Sequence, residues 1–160
     1  MRGVAAVSIL LHGDEVLLMK RVERDDDPWS GDISFPGGRM KNGDLDLLDT
    51  ALRELYEEAG VWLERGDVVP ITIGVFNPIS FPDYKVYAIL IPVMDKPDSR
   101  PGPEAEEIFW LQLSDLKISR CMKRLRGVDI YSEVECVETG YGDIWGLTLR
   151  IIKRVLRDFI

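Results

Sequence analysis

The segment Asp46–Gly60 constrains the fold more than any other part of the sequence. Leu48, Leu52, Leu55 and Ala59 follow one another at spacings of 4, 3 and 4 residues. This spacing places the four apolar side chains along one stripe of an α-helix, and the glycine at position 60 is suited to cap its C-terminal end. The sequence therefore predicts a helix that packs through this stripe on a sheet.

The same helix carries a cluster of charged residues. Arg53 and Glu57 are four residues apart, and so are Glu54 and Glu58. Residues at this spacing share one region of a helix surface, so three carboxylates and one guanidinium are predicted to lie together. Carboxylate oxygens are the ligands that Mg²⁺ prefers in proteins. A glutamate-rich helix surface often has no role beyond solvation, so the segment alone leaves both interpretations open.

Two adjacent glycines precede this helix. Gly37 and Gly38 follow the short predicted strand Ile33–Phe35, and the second glycine lies 15 residues before Arg53. Paired glycines allow the backbone to approach a ligand or metal ion closely. The alternative is that they form a simple tight turn.

The rest of the chain alternates between strand patterns and loops and ends in a helical pattern. The C-terminal segment has apolar residues at helical spacing, with Asp143 placed to cap it and with Trp145 and Phe159 assigned to the core. A polar loop is predicted over Arg21–Gly31, and residues 119–141 show no clear pattern. The predicted strands are Val4–Leu11, Val16–Lys20, Val68–Phe76, Lys85–Val93 and Ile108–Leu113, and the last helix is Ile144–Ile160. This order predicts one domain over residues 1–160, an α/β or α+β sandwich with a mixed sheet.

Composition excludes several classes of function. The net charge of -8 disfavours non-specific binding of nucleic acid or of an anionic membrane surface. A phosphate-bearing substrate would therefore need a local cation, such as a bound divalent ion. The two cysteines and the single histidine lack the spacing of a zinc site. Without a signal-like N-terminus or a membrane-spanning apolar run, the chain is predicted to be cytoplasmic and reduced.

The glycines and the charged helix together resemble the Nudix box, G-x5-E-x7-R-E-U-x-E-E-x-G-U, in which U is apolar. Arg53–Val61 matches the second half of this pattern fully. The first half departs from it, because Asp44 stands at the glutamate position counted from Gly38 and eight residues separate it from Arg53.

This departure resembles the coenzyme A diphosphatase branch of the family. That branch is characterised by G-x3-F-P-G-G followed by an aspartate and T-A-L-R-E, as in Gly31–Gly38, Asp44 and Thr50–Glu54 here. Glu104–Trp110 and Ile144–Thr148 resemble two further segments of the same branch. The resemblance covers most of the chain.

The resemblance implies a fold and an activity. The fold is an α/β/α sandwich whose mixed sheet is flanked by the box helix and the C-terminal helix. The activity is metal-dependent hydrolysis of a pyrophosphate bond, with coenzyme A or an acyl derivative cut to 3′,5′-ADP and 4′-phosphopantetheine. ADP-ribose, another nucleoside diphosphate derivative or a nucleoside triphosphate is the alternative substrate. A catalytically silent binding module of the same fold is the third interpretation, and the intact set of charged residues speaks against it.

The resemblance also implies roles for particular residues. Mg²⁺ or Mn²⁺ is expected at the glutamates of the helix and the second glycine, where Glu54 serves as a ligand or as a base. Arg53 is expected to orient a glutamate, and the general base is sought at Glu104 or Glu107. The expected metal ligands are Gly38, Glu54, Glu57 and Glu58, and the expected substrate-binding residues are Arg21, Arg24, Phe35 and Arg39. For the three arginines and the two candidate bases, exposed charge without a role in binding or catalysis is the alternative. The expected partner is a small nucleotide, without nucleic acid or membrane, and the pattern leaves monomer and homodimer open.

Overall fold

The computed structural model describes residues 3–25, 31–79, 81–125 and 130–160. Residues 26–30 of the predicted polar loop and residues 126–129 lie outside the described residues. No helix within the described residues is both long enough and apolar enough to cross a membrane. The strands are β1 (Val4–His12), β2 (Glu15–Arg21), β3 (Ile33–Ser34), β4 (Gly37–Arg39), β5 (Ile71–Phe76), β6 (Lys85–Pro92), β7 (Ala105–Gln112), β8 (Ser119–Leu125), β9 (Ile130–Thr139) and β10 (Gly142–Trp145), and the helices are α1 (Leu47–Ala59), α2 (Gly146–Phe159) and a short 3₁₀ helix (Arg65–Asp67).

A seven-stranded mixed sheet forms the centre of the fold. Its main path runs β3-β2-β1-β6-β5, while β4 pairs with β1 and β7 pairs with β2. β1 and β6 are parallel, and the other pairs of this sheet are antiparallel. β1 and β2 pair only beside their hairpin, at Leu11–Val16 and His12–Glu15, and the start of β1 pairs with β4 instead. This divergence places the paired glycines beside the middle of the sheet.

The two faces of the sheet are buried under different elements. Successive strand residues point to opposite faces, so in β1 Ile9 belongs to one core cluster and Leu10 to the other. The first cluster includes apolar residues of α2, and the second includes those of α1. The predicted mixed-sheet sandwich with a helix on each side is therefore confirmed.

Helix α1 has the boundaries that its sequence predicts. The Asp46 side chain accepts a hydrogen bond from the Asp49 amide at the N-terminus, and Gly60 ends the helix with φ of 68°. Leu55 and Ala59 are completely buried, whereas Leu48 and Leu52 are partly buried against the same cluster. Burial of one leucine contributes roughly 1.5–3 kcal/mol, so this stripe holds the charged face of α1 in a fixed position.

The C-terminal region differs from its predicted structure. Helix α2 begins at Gly146 rather than at Ile144, and its N-cap residue is Trp145. Asp143 is not the cap, because it lies in β10 and pairs with Lys123 at 2.7 Å. Ile144 is buried in this strand, and its apolar character fits a strand as well as the first turn of a helix. The prediction of a cap at Asp143 was therefore wrong.

A second, three-stranded sheet, β10-β9-β8, occupies the region that showed no clear sequence pattern. Antiparallel pairing of β8 with β9 brings Cys121 and Cys136 within 5.9 Å between their Cα atoms, and the two form a disulfide. The expectation of reduced cysteines was therefore wrong. It failed because the pairing of these strands was not visible in the sequence.

Candidate active site

The paired glycines bring the backbone of β4 against the charged face of α1. The Gly37 amide donates a 2.7 Å hydrogen bond to Glu58 Oε1. A Cβ atom at Gly37 would lie 2.5 Å from the carbonyl oxygen of Ala6, and one at Gly38 would lie 2.6 Å from the Glu54 carboxylate. Position 37 therefore requires glycine, because its neighbours are backbone atoms, whereas a side chain at position 38 would displace the Glu54 carboxylate.

Arg53 organises the charged residues around itself. Its Nε and Nη2 donate to the two carboxylate oxygens of Asp44 at 3.0 and 2.9 Å, and Nη1 donates to Glu54 Oε1 at 2.8 Å. Nη1 also contacts Glu57 at 3.3 Å, and Nη2 donates to the Arg39 carbonyl at 3.0 Å. Hydrogen bonds from Arg53 hold the pKa of the Asp44 carboxyl well below its usual range. The structure thus places Arg53 between carboxylates, where it fixes their orientation.

The three glutamates of α1 differ strongly in exposure. The side chains of Glu54 and Glu58 are 11% and 5% exposed, whereas that of Glu57 is 47% exposed. Burial raises the pKa of Glu54, and it raises the pKa of Glu58 to about 7 against the opposing effect of the Gly37 amide. Charged groups are costly to bury without compensation, so this pair of carboxylates favours a nearby positive charge.

The donor set fits a hard divalent cation. Glu54, Glu57 and Glu58 offer carboxylate oxygens, and the close approach of Gly38 puts backbone beside them. Within the described residues, one group has three potential metal-ligand atoms within 4.8 Å of one another: Cys121, Cys136 and Glu138. The two sulfurs of this group are bonded to each other in the disulfide. The oxygens of the three glutamates are therefore more widely spaced, so their side chains have to move closer, or to bind through water, to hold a single ion such as Mg²⁺.

Arg21 connects α1 with the start of β7. Its Nη1 lies 3.6 Å from Glu58 and its Nη2 lies 3.9 Å from Glu104, while Arg24 Nη1 donates to Glu104 at 3.3 Å. The Val22 amide also donates to the Glu104 carbonyl at 3.0 Å. Glu104 is therefore brought to the glutamate cluster together with Arg21. Arg24 contacts Glu104 and is not among the described residues that line the cavity.

Glu107, the other candidate base, lies elsewhere. It sits opposite Lys20 in the β2–β7 pairing and is exposed. It is not among the described residues that line the cavity, whereas Glu104 is. The difference arises because Glu104 precedes β7 and Glu107 lies within it, where the strand register sets the direction of each side chain.

A cavity of about 770 Å³ extends from the glutamates to the start of α2. Phe35 is 3% exposed and forms part of its wall and of the core. Arg39 lines the cavity, stacks over the Tyr84 ring with its Cζ 5.3 Å from the centroid, and donates from Nε to the Tyr84 hydroxyl at 3.2 Å. Of the predicted substrate residues, the structure thus brings Arg21, Phe35 and Arg39 to one cavity with the glutamates.

The far wall of the cavity consists of residues that the sequence did not indicate. Trp145, predicted to be core, is only half-buried and lines the cavity with Thr148 and Arg150. Phe159, also predicted to be core, is 38% exposed. Only the Trp145–Gly146 pair of the resemblance pointed to this region, and nothing in the local pattern distinguished Arg150 from the other cations of α2.

The sequence matches the NUDIX domain family model over residues 1–129. The chain belongs to the Nudix family. Nudix hydrolases are pyrophosphohydrolases that act on small nucleotide substrates and generally use divalent metal ions. The Nudix match ends within the β8–β9 region, so the prediction of one domain over residues 1–160 stays a prediction.

Two relatives place the chain more closely within the Nudix family. It is 37% identical over 131 residues to the mitochondrial coenzyme A diphosphatase NUDT8 of Homo sapiens, covering 79% of this chain and 55% of that relative. It is 28% identical over 165 residues to the Nudix hydrolase NudL of Pectobacterium atrosepticum, covering 96% of this chain and 80% of the relative. The chain therefore spans about half the length of the human relative. The resemblance to the Nudix family and its coenzyme A diphosphatase branch is confirmed.

Solved Nudix structures show the same fold. A MutT/nudix family protein from Enterococcus faecalis aligns with a TM-score of 0.63 at 19% identity, covering 98% of this chain and 62% of that one. A bifunctional NMN adenylyltransferase/ADP ribose pyrophosphatase from Francisella tularensis, complexed with AMP and a Mn ion, aligns with a TM-score of 0.67 at 15% identity, covering 99% and 42%. At these identities the comparison concerns the fold alone.

Proposed function

We propose that this chain hydrolyses the pyrophosphate bond of coenzyme A or of an acyl-coenzyme A, giving 3′,5′-ADP and a 4′-phosphopantetheine product. The observation that carries the proposal is the cluster of Glu54, Glu57 and Glu58, packed against the paired glycines at one end of a cavity large enough for a nucleotide. The similarity to a relative named as a coenzyme A diphosphatase supports this choice of substrate.

Glu54, Glu57, Glu58 and the Gly38 carbonyl are the proposed ligands of Mg²⁺ or Mn²⁺. When bound, the cation would neutralise charge on the pyrophosphate and activate a water molecule. Arg53 acts as a positioning residue, since its hydrogen bonds to Asp44 and Glu54 hold the ligand carboxylates in place. Glycine at position 38 keeps space beside Glu54 that any side chain would fill.

Glu104 is the proposed general base, because it lines the cavity close to Arg21 and remains half-exposed. Its carboxylate accepts a proton from the attacking water as the water oxygen bonds to one phosphorus atom. The P–O bond to the bridging oxygen breaks, and that oxygen leaves with the second phosphate. The products are two phosphate monoesters, and no oxidant or reductant is required.

The cavity wall provides contacts for the substrate. Arg39 and Arg21 bring guanidinium groups to the cavity, and such groups suit phosphate oxygens because of their planar, forked arrangement of donors. Phe35 offers an apolar wall next to the glycines. These contacts bind and orient the pyrophosphate beside the glutamates.

The test is a comparison of kcat/KM for coenzyme A, dephospho-coenzyme A and ADP-ribose with Mg²⁺, with the products identified by mass. We expect coenzyme A to be the best of the three and to yield 3′,5′-ADP. A preference for ADP-ribose of about tenfold or more, equal to about 1.4 kcal/mol, would instead assign the chain to nucleoside diphosphate sugars. Absence of hydrolysis of all three substrates would contradict the proposed class of reaction.

A further inference from the structure

The wall of the cavity opposite the glutamates contains one more cation, Arg150 of helix α2. We propose that Arg150 binds a phosphate monoester of the substrate remote from the bond that is cut, which in coenzyme A is the 3′-phosphate. The proposal rests on the proposed function for the identity of the substrate. In this role Arg150 determines specificity and takes no part in cleaving the pyrophosphate bond.

Arg150 is anchored at a defined place in the fold. Its Nη2 donates a 2.7 Å hydrogen bond to the carbonyl of Asn77, which directly follows β5. The glutamates instead lie beside β4, against the paired glycines. α1 and α2 pack on opposite faces of the sheet, and residues of both line the cavity. We therefore assign the anion at Arg150 to a different group of the ligand from the pyrophosphate at the glutamates.

The charge of Arg150 is not compensated by a carboxylate within the described residues. The other arginines close to the glutamates are engaged, since Arg53 binds Asp44 and Glu54, and Arg21 contacts Glu58 and Glu104. Acidic residues outnumber basic ones by 28 to 20 in this chain. Arg39 also lines the cavity without a carboxylate partner within the described residues, but the hydroxyl and the ring of Tyr84 hold its guanidinium. Arg150 lacks both kinds of partner, which indicates that its partner is a ligand.

The hydrogen bonding of Arg150 is also incomplete. Its Nε is buried and has no hydrogen-bond partner, and no other buried side-chain nitrogen or oxygen atom within the described residues lacks one. Burial lowers the pKa of the guanidinium, so the charged form lacks the solvation that an exposed arginine has. An anion bound in the cavity would restore part of that lost stabilisation, because hydrogen bonds between charged groups are stronger than those between neutral ones.

The surroundings of Arg150 suit the nucleoside end of such a ligand. Pro78 and Ile79 continue from the residue that anchors Arg150, and with Trp145 they form a largely apolar part of the cavity wall. The first turn of α2 lines the same wall, and its N-cap residue Trp145 makes no side-chain capping hydrogen bond. The positive end of a helix favours an anion nearby, which adds to the effect of Arg150.

The experiment measures binding of 3′,5′-ADP and 5′-AMP by titration calorimetry without divalent metal, in the wild type and in Arg150→Gln. The wild type should bind 3′,5′-ADP more tightly than 5′-AMP. The variant should lose about tenfold or more in affinity for 3′,5′-ADP, as expected for one charge-assisted contact, and should keep its affinity for 5′-AMP. Arg157→Gln, an exposed arginine paired with Asp158 on the same helix, is the matched control and should change neither affinity.

Equal losses for the two ligands in Arg150→Gln, or no loss for either, would overturn the proposal. A wild type that does not prefer 3′,5′-ADP would overturn it as well, whether or not the variant folds. Arg150→Lys retains the charge without the fork and should show an intermediate affinity for 3′,5′-ADP. If the protein binds 3′,5′-ADP through Arg150 but does not hydrolyse coenzyme A, the proposed function fails while this inference stands.

Discussion

Replacing Glu58 by glutamine should stabilise the metal-free protein above about pH 7 while abolishing hydrolysis. Glu58 is 4% exposed, and burial is the largest of the effects that raise its pKa to about 7. Glu54 and Glu104 raise the pKa further, whereas the Gly37 amide and Arg21 oppose the rise. In the absence of metal, an ionised Glu58 therefore destabilises the folded state.

The magnitude follows from this pKa. A value of about 7 instead of the ordinary 4.5 corresponds to roughly 3 kcal/mol, because one pH unit in a pKa equals about 1.36 kcal/mol. Glutamine retains an oxygen that accepts from the Gly37 amide but leaves Arg21 without one carboxylate partner. We therefore expect a net gain of about 1–3 kcal/mol, and a gain of about 2 kcal/mol raises the Tm of a domain of this size by about 4–8 °C.

The pH dependence distinguishes this cause from a general effect on packing. Between pH 4.5 and about 7 the folded wild type keeps a proton that the unfolded chain has lost, so its stability falls as the pH rises through this window. Glu58→Gln lacks this loss. The difference in Tm should thus be small at the acidic end and reach its full size above about pH 7.

The assay is thermal denaturation in EDTA across this pH range, followed by measurement of kcat with Mg²⁺. Glu57→Gln is the control, because its side chain is 47% exposed and its replacement should give no pH-dependent gain. Both variants should lose activity by about a hundredfold or more, and Mg²⁺ should raise the Tm of the wild type but not of Glu58→Gln. A Tm difference that does not vary with pH, or a variant less stable than the wild type at about pH 8, would refute the reasoning.

Two further substitutions test the roles of Arg53 and Glu104. Arg53→Lys removes the paired hydrogen bonds to Asp44. It should lower kcat by about a hundredfold, measured by steady-state kinetics, and the free energy of unfolding by about 1–3 kcal/mol, measured by urea denaturation. An unchanged kcat would contradict the positioning role. Glu104→Gln should lower kcat by about 10²–10⁴-fold and remove the acidic limb of the pH–rate profile, whereas Glu107→Gln should do neither. The reverse outcome would reassign the base to Glu107.

Features determined by local sequence were predictable. Helix α1 has its apolar stripe, its capping glycine and its charged face within one segment, and all three follow from residue spacing along a helix. Asp44 illustrates the same point, because its partner Arg53 is only nine positions away. Strand β1 was recognisable because its continuous apolar run is buried on both faces of the sheet.

Features determined by tertiary structure were not predictable. The residues of β8 alternate between half-buried and exposed, without the apolar alternation that marks a strand packed on a core. The choice between Glu104 and Glu107 depends on how β7 pairs with β2. Arg150 meets Asn77 across 73 positions of sequence, and no local pattern specifies a contact over that distance.

The acidic character of the chain explains why the arrangement of its arginines matters. A net charge of -8 opposes the approach of a phosphate-rich ligand, and the glutamates of α1 add to that repulsion in the cavity itself. Arg53 and Arg21 balance carboxylates and so contribute little net positive charge to the cavity. Under the proposed function, binding of a polyanion then depends on a divalent ion held by the glutamates and on the cavity-lining arginines without carboxylate partners, Arg39 and Arg150. If Arg150 binds the 3′-phosphate as proposed, selectivity among nucleotides should be set at the α2 wall of the cavity rather than at the glutamates, which would contact the pyrophosphate of any of these substrates.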